Sequence, residues 1–179
     1  MKKLIAVTAF SLLALSCSDK LSESKVEKLV NECLANKPSY GTNTLQTGKV
    51  NYLSKEAVAT YEQLQSKGLL TIEEKLPEER YSFKYHLITL TDKSKPFVTE
   101  SKTNSNNTTV NSIRLYTKKI DKVGSIQEIP SMNMAEVKII YKKDDKTPFY
   151  DELEGDKTDF ITKNIMVKKT ENKGWVYCD

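Results

Sequence analysis

Apolar positions recur along this chain first at helical and then at strand spacing. Val26, Leu29, Val30, Cys33 and Leu34 fall at i, i+3, i+4, i+7 and i+8, one stripe of an amphipathic helix. Ser24-Lys25-Val26-Glu27 has capping-box spacing ahead of the stripe, and Pro38 closes it. Residues 38–51 contain Gly41 and Gly48 and read as loop with at most a short strand. A second helix is expected from Ser54. Leu53 and Val58 form its hydrophobic staple, Ala57, Val58, Tyr61 and Leu64 its buried face, and Gly68 its C′ residue.

Beyond Gly68 the period changes to two. A short strand is expected at 69–73. Tyr81, Phe83, Tyr85 and Leu87 alternate onto one face of the next, with His86 on the other. Pro96 allows an edge strand at 97–100, and the polar residues 101–109 read as loop. Further strands are expected at 111–119, 124–129 and 134–142, the last with Ala135, Val137, Ile139 and Tyr141 as its apolar face. Two more, at 160–169 and 174–178, flank the turn Glu171-Asn172-Lys173-Gly174. This order predicts an α+β fold: two N-terminal helices followed by an antiparallel sheet of about five or six strands.

The first residues follow a different pattern. Lys2 and Lys3 precede an apolar run from Leu4 to Ala14, interrupted only by Thr8 and Ser11. A run this short cannot cross a hydrocarbon core of ~30 Å, which needs about 20 residues, but it suits the h-region of an export signal. It ends in Leu13-Ala14-Leu15-Ser16-Cys17, which resembles the lipobox of bacterial lipoproteins. The departure is Ala14, where that family prefers Leu. The resemblance implies a diacylglycerol on the Cys17 thiol, cleavage before Cys17 and acylation of the new amine. Ser18 after the cysteine implies, by the same resemblance, the periplasmic side of an outer membrane. Cys17-Ser18-Asp19 also partly resembles the tag that sends some Bacteroidota lipoproteins to the cell surface. The expected organisation is a removed signal at 1–16, a lipidated tether at 17–23 and one domain at 24–179. The alternative is an ordinary secreted protein in which Cys17 is the first cysteine of the domain.

Charge changes little. The chain has 28 basic and 24 acidic residues; without Lys2 and Lys3 the balance is 26 to 24, a net charge of about +2. The signs are interspersed and no polybasic stripe appears, so no nucleic acid is expected as partner. With Cys17 lipidated, Cys33 and Cys178 remain as one possible disulfide. It would close a loop of about 145 residues and contribute at most roughly 5 kcal/mol in the chain-entropy model. Two buried thiols are the alternative.

Two stretches of the domain carry weaker resemblances. Residues 133–178, ending in a Gly174-Trp175 turn, resemble the last hairpins of small cystatin-like or NTF2-like envelope lipoproteins, which implies a curved sheet packed on helices. Residues 56–100, a helix running into Leu64-Gln65-Ser66-Lys67-Gly68-Leu69-Leu70, resemble the second half of a winged helix-turn-helix. Arg80 is its only arginine and no basic recognition helix precedes it, so only the shape is carried over.

Catalytic equipment is sparse. His86 is the only histidine, so histidine metal sets and two-histidine acid–base schemes are out of reach. No Gly-x-Ser-x-Gly elbow or phosphate-cradling glycine loop occurs. Neither a catalytic residue nor a metal ligand is assigned, and no cofactor is expected. Paired carboxylates at Glu73/Glu74, Glu78/Glu79 and Asp151/Glu152/Glu154 have the residue types for glycoside hydrolysis, and solvated acidic loops are the ordinary alternative. Phe149 and Tyr150, beside Pro148 in a loop, are candidate partner anchors unless the loop tucks them over the sheet. The expected function is a non-enzymatic binding or structural module, held to the membrane through Cys17 and acting on another envelope component. The alternatives are an inhibitor or small-ligand module using the 101–109 or 144–156 loop and, third, a carboxylate hydrolase.

Overall fold

The computed structural model describes residues 20–76 and 84–178. Its first helix, α1, spans Glu23–Asn36 and carries Val26, Val30 and Cys33 inward. The cap is Ser22, whose hydroxyl accepts the Lys25 N–H at 3.3 Å, so the helix starts two residues earlier than the capping box suggests. Leu21 decides this. It is buried in the same cluster as Val26, and the two occupy the N′ and N4 positions of a staple around Ser22.

The expected order of elements does not hold. Strand β1, Tyr40–Val50, lies between α1 and the second helix, α2, at Lys55–Ser66. The chain then runs through β2 (Leu70–Lys75), β3 (Tyr85–Leu90), β4 (Val98–Thr103), β5 (Thr108–Ile129) and β6 (Met134–Asp144). A third helix, α3 (Tyr150–Leu153), precedes β7 (Phe160–Thr170) and β8 (Gly174–Val176). The result is a mostly antiparallel eight-stranded sheet in the order β2-β3-β1-β5-β6-β7-β8, with β4 also on β5. It is α+β only loosely, and two helices followed by five or six strands is not its plan.

Three misread segments account for the difference. The glycines that made 38–51 look like a loop serve the strand. The Tyr116 ring lies over Gly41 where a side chain would stand, and Gly48, at φ +77°, abuts the Asn107 carbonyl. Residues 111–119 and 124–129 are parts of one 22-residue strand. Bulges between Ile120 and Lys122 and between Val123 and Ile126 absorb Asp121, Gly124 and Ser125 without ending the pairing with β6. Finally, 101–109 closes the β4–β5 hairpin, with a Thr103–Thr109 hydroxyl contact of 2.8 Å and Ser101 donating to Asn111 Oδ1 at 2.7 Å.

Two clusters of buried side chains lie under the helices. One gathers Tyr61 and Leu64 of α2 with Leu70, Ile88, Ile113, Leu115 and the α3 residues around Phe149. The other gathers Val26 and Val30 of α1 with Val123, Val137, Ile139, Val167 and Trp175. β6 shows that both lie on one face of the sheet, because its alternation runs unbroken from Ala135 through Tyr141, in the α1 cluster, to Lys143, beside Tyr116 and Tyr150 of the α2 cluster. On β5 the same continuity needs a bulge: Tyr116 pairs with Gly41 and Arg114 with Thr42, so Leu115 is extra and both Leu115 and Tyr116 turn inward. Helix α2 ends in a Schellman motif, Leu69 N–H to Leu64 C=O and Gly68 N–H to Gln65 C=O, with Gly68 at φ +70° in the C′ position read from the sequence. Both clusters and every strand pairing close within residues 20–178. No helix among the described residues is long and apolar enough to cross a membrane.

Candidate functional site

Cys17, with the signal and most of the tether, lies outside the described residues. The domain begins right behind it: Leu21 is buried, and its amide donates to Glu128 Oε1 on β5 at 3.1 Å. Cys33, on the buried stripe of α1, and Cys178, just after β8, have Cα atoms 5.6 Å apart and sulfurs within bonding range. A cleft of about 260 Å³, lined by Leu29, Glu32, Asn36 and Tyr177 among others, opens over the pair.

Phe149 and Tyr150 are both buried. Phe149 meets Phe97 edge-on at 6.1 Å, and Tyr150 meets Tyr116 edge-on at 5.9 Å. The segment is fastened by Lys143, whose side chain is 1% exposed. Its ammonium donates to Glu154 Oε1 at 2.8 Å and to the Asp156 carbonyl, 5.2 Å from the Tyr116 ring centre and 5.7 Å from that of Tyr150. Burial alone pushes the Lys143 pKa down. The bond and charge of Glu154, with Tyr150 and Asp156 behind it, outweigh burial and hold it above the ordinary lysine range. This grouping reads as a latch on residues 144–158.

The carboxylates expected to pair do not meet as acid pairs. Glu73 and Glu74 alternate to opposite faces of β2 and bond Lys75 and Lys84. Asp151 and Glu152 face Lys67, at 3.8 and 2.7 Å, and Glu154 belongs to Lys143. Glu78 and Glu79 lie outside the described residues. Among the described residues no three His, Cys, Asp or Glu side chains are grouped to hold a metal ion.

His86 sits in the second notable cleft. It shares the helix-covered face of β3 with Ile88, while Leu87, on the opposite face as its alternation with His86 predicts, is exposed. Tyr81 and Phe83 lie outside the described residues. The cleft, about 530 Å³, lies between α2 and the β2–β3 pair, lined by Leu53, Val58, Glu62, Ile72, Glu74 and His86 among others. His86 Nδ1 is buried there with no hydrogen-bond partner in the described protein.

One feature escapes the sequence entirely. On the helix-free face of the sheet, strand register sets Lys119 opposite Lys142 and Lys122 opposite Ile140, with Lys138 and Lys168 on the same face. These lysines come from three strands and are separated in sequence by acids and apolar residues, so no linear window contains the patch.

Compared with protein-family models, curated proteins and solved structures, the chain matches none.

Proposed function

We propose that this chain is a lipid-anchored protein of the bacterial cell envelope whose domain is a non-enzymatic binding or structural module. The observation that carries the reading is the export pattern of residues 1–16 running into the lipobox-like Leu13–Cys17 segment. The domain's buried residues begin at Leu21, only four positions after the proposed acylated cysteine. At no more than ~3.6 Å per residue, such a tether reaches about 14 Å, so the domain sits against the bilayer rather than on a long stalk. Two or three acyl chains on Cys17 make that attachment durable, since each buried methylene contributes about 0.8 kcal/mol.

The test is metabolic labelling of expressing cells with an alkyne fatty acid, wild type beside Cys17→Ala. Label on the wild-type chain alone, with a mature mass starting at residue 17, is the expected result. A mature chain that carries no label, or that is cut elsewhere, sinks the anchor. Crosslinking in cells before purification then identifies any envelope partner.

A second reading, a small-ligand module, is favoured by the His86 cleft. Its volume lies within the range usual for ligand sites, and its walls combine Leu53, Val58 and Ile72 with a histidine nitrogen that has no partner among the described residues. A thermal-shift screen of wild type against His86→Ala separates this reading from the first: a ligand that stabilises only the wild type favours it.

A further inference from the structure

We propose that the helix-free face of β5, β6 and β7 is a docking surface for an anionic lipid bilayer, seated on the headgroups by its lysines and entering between them with its apolar side chains. Lys119, Lys122, Lys138, Lys142 and Lys168 share this face and are all exposed. None of the five side chains makes an ion pair or hydrogen bond among the described residues. Several lysines elsewhere are partnered, Lys67 with Glu152, Lys84 with Glu74 and Lys146 with Asp159; what sets this face apart is that five without a partner share it. Asp159, the acid that feels Lys142, is the one already bonded to Lys146. The acids on the face itself are Glu136, held by Asn164 at 2.8 Å, Asp121 in the bulge beside Lys122, and Asp144 at the margin.

Stability does not account for the arrangement. Like charges directly opposite on neighbouring strands weaken a sheet, yet Lys119 and Lys142 are register partners. Unpartnered lysines collected on one face, in a domain of nearly balanced charge, fit an anionic counterpart outside the chain.

The apolar residues indicate which counterpart. Phe160 lies beside Lys142 and is 49% exposed; Met166 lies across from Glu136 and is 43% exposed; Ile140 fills the row between Lys138 and Lys142. Lysine stems around exposed Phe160 and Met166, with the half-buried Ile140 between them, suit the headgroup–acyl boundary, where charge meets phosphate and the ring and thioether enter the hydrocarbon. A soluble polyanion would use the lysines and leave Phe160 and Met166 without a role. The choice of a membrane rests on the anchor proposed above, whose tether of at most about 14 Å keeps the sheet close to the bilayer.

The test uses the mature chain, residues 17–179, carrying Cys17→Ser so that no acyl group is present. It is sedimented with vesicles of phosphatidylglycerol and phosphatidylcholine in equal parts, and with phosphatidylcholine alone, over a series of salt concentrations. Binding to the anionic vesicles only, weakening with salt, is expected. Lys119→Gln, Lys122→Gln, Lys138→Gln and Lys142→Gln together should lower partition several-hundredfold, about fivefold for each charge. The same number of charges removed at Lys28, Lys55, Lys95 and Lys102 should change it far less. Phe160→Ser with Met166→Ser should weaken binding while leaving the salt slope intact. Melting curves show that each variant is folded.

No binding by the folded wild type overturns the proposal, as does equal loss in the two four-lysine variants. Salt-sensitive binding to polyphosphate without vesicle binding overturns it in favour of a soluble polyanion. Because no acyl group is present, a negative result here with positive fatty-acid labelling removes the face alone, and the reverse removes the anchor alone.

Discussion

Replacing Lys143 by Met is expected to destabilise the domain by about 3 kcal/mol, near the lower end of what removing one partner of a buried ion pair costs. Lys143 is 1% exposed, but Glu154 is 14% exposed, so the orphaned carboxylate regains some water and the cost stays below the fully buried limit. The substitution also removes the bond to the Asp156 carbonyl and the two ring contacts, while the Met side chain fills most of the space of the lysine stem. For a domain of this size about 3 kcal/mol corresponds to a fall in melting temperature of roughly 6–12 °C. Glu154→Leu alone should cost a similar amount, because it leaves an ammonium buried beside Tyr116 and Tyr150. The double variant, Lys143→Met with Glu154→Leu, should return to within about 1.5 kcal/mol of wild type, since an apolar pair replaces the ionic one. A urea-unfolding cycle over the four proteins measures this directly, with limited proteolysis reporting release of residues 144–158. Additive effects, or a Lys143→Met protein that unfolds with the wild type, would refute the latch.

Two further predictions concern the α1 half of the sheet. A disulfide between Cys33 and Cys178 would contribute up to roughly 5 kcal/mol for its sequence separation of 145, so dithiothreitol, Cys33→Ser and Cys178→Ser should each lower the melting temperature to a common value. Two free thiols titrated in the folded, air-oxidised chain would rule the bridge out. The Tyr141 pKa is pushed up to about 12, first by burial and then by the neighbouring Tyr177. The folded chain thus keeps a proton that the unfolded chain loses near pH 10, and stability falls as pH rises through that window. The loss between pH 9 and 11 should be roughly 1.3 kcal/mol. Lys143, also raised, contributes stability that is present below the unfolded lysine pKa and lost as pH climbs through its folded value. Urea midpoints at the two pH values should therefore converge in Tyr141→Phe without becoming identical; an unchanged pH dependence would refute the assignment.

Local patterns in this chain were legible where one face of an element meets a core. The β6 alternation, the stripe of α1 and the C′ glycine of α2 are visible in sequence because burial, period and turn chemistry agree there. β1 was hidden because its glycines answer contacts with Tyr116 and Asn107, more than fifty residues away, and an intrinsic turn signal cannot reveal a distant ring. β5 was divided in two because a bulge and a turn draw on the same residues, Asp121, Gly124 and Ser125; only the continuing β6 partner tells them apart. The cap at Ser22 was displaced for a related reason, since Ser24 satisfies the same motif and the buried Leu21 selects between them. The lysine face is the extreme case. Its members lie on three strands, and no pattern within a strand states which lysine will stand opposite which. Register is a property of pairs, and the patch exists only once pairing is settled.

The two faces of the sheet divide what the domain can do. Because β6 alternates without a break, the helices, the latch and the His86 cleft all belong to one side, and the exposed lysines with Phe160 and Met166 belong to the other. A chain lying on a bilayer by its lysine face would turn the His86 cleft outward. A chain held by its tether alone would be free to stand upright. Leu21 is pinned near the C-terminal end of β5, while His86 pairs with Val50 beside the N-terminal end; with the four bulge residues Leu115, Asp121, Gly124 and Ser125 left out, β5 advances about 17 steps, roughly 55 Å at 3.3 Å each. In the flat posture the cleft stays close to the membrane and opens away from it; in the upright one it stands at the far tip. Headgroups and a cleft ligand would not compete in either posture, since opposite faces meet them. If the lysine face docks as proposed, the lysines would bear on what the cleft can reach: by choosing the posture they would set the distance between the cleft and the bilayer.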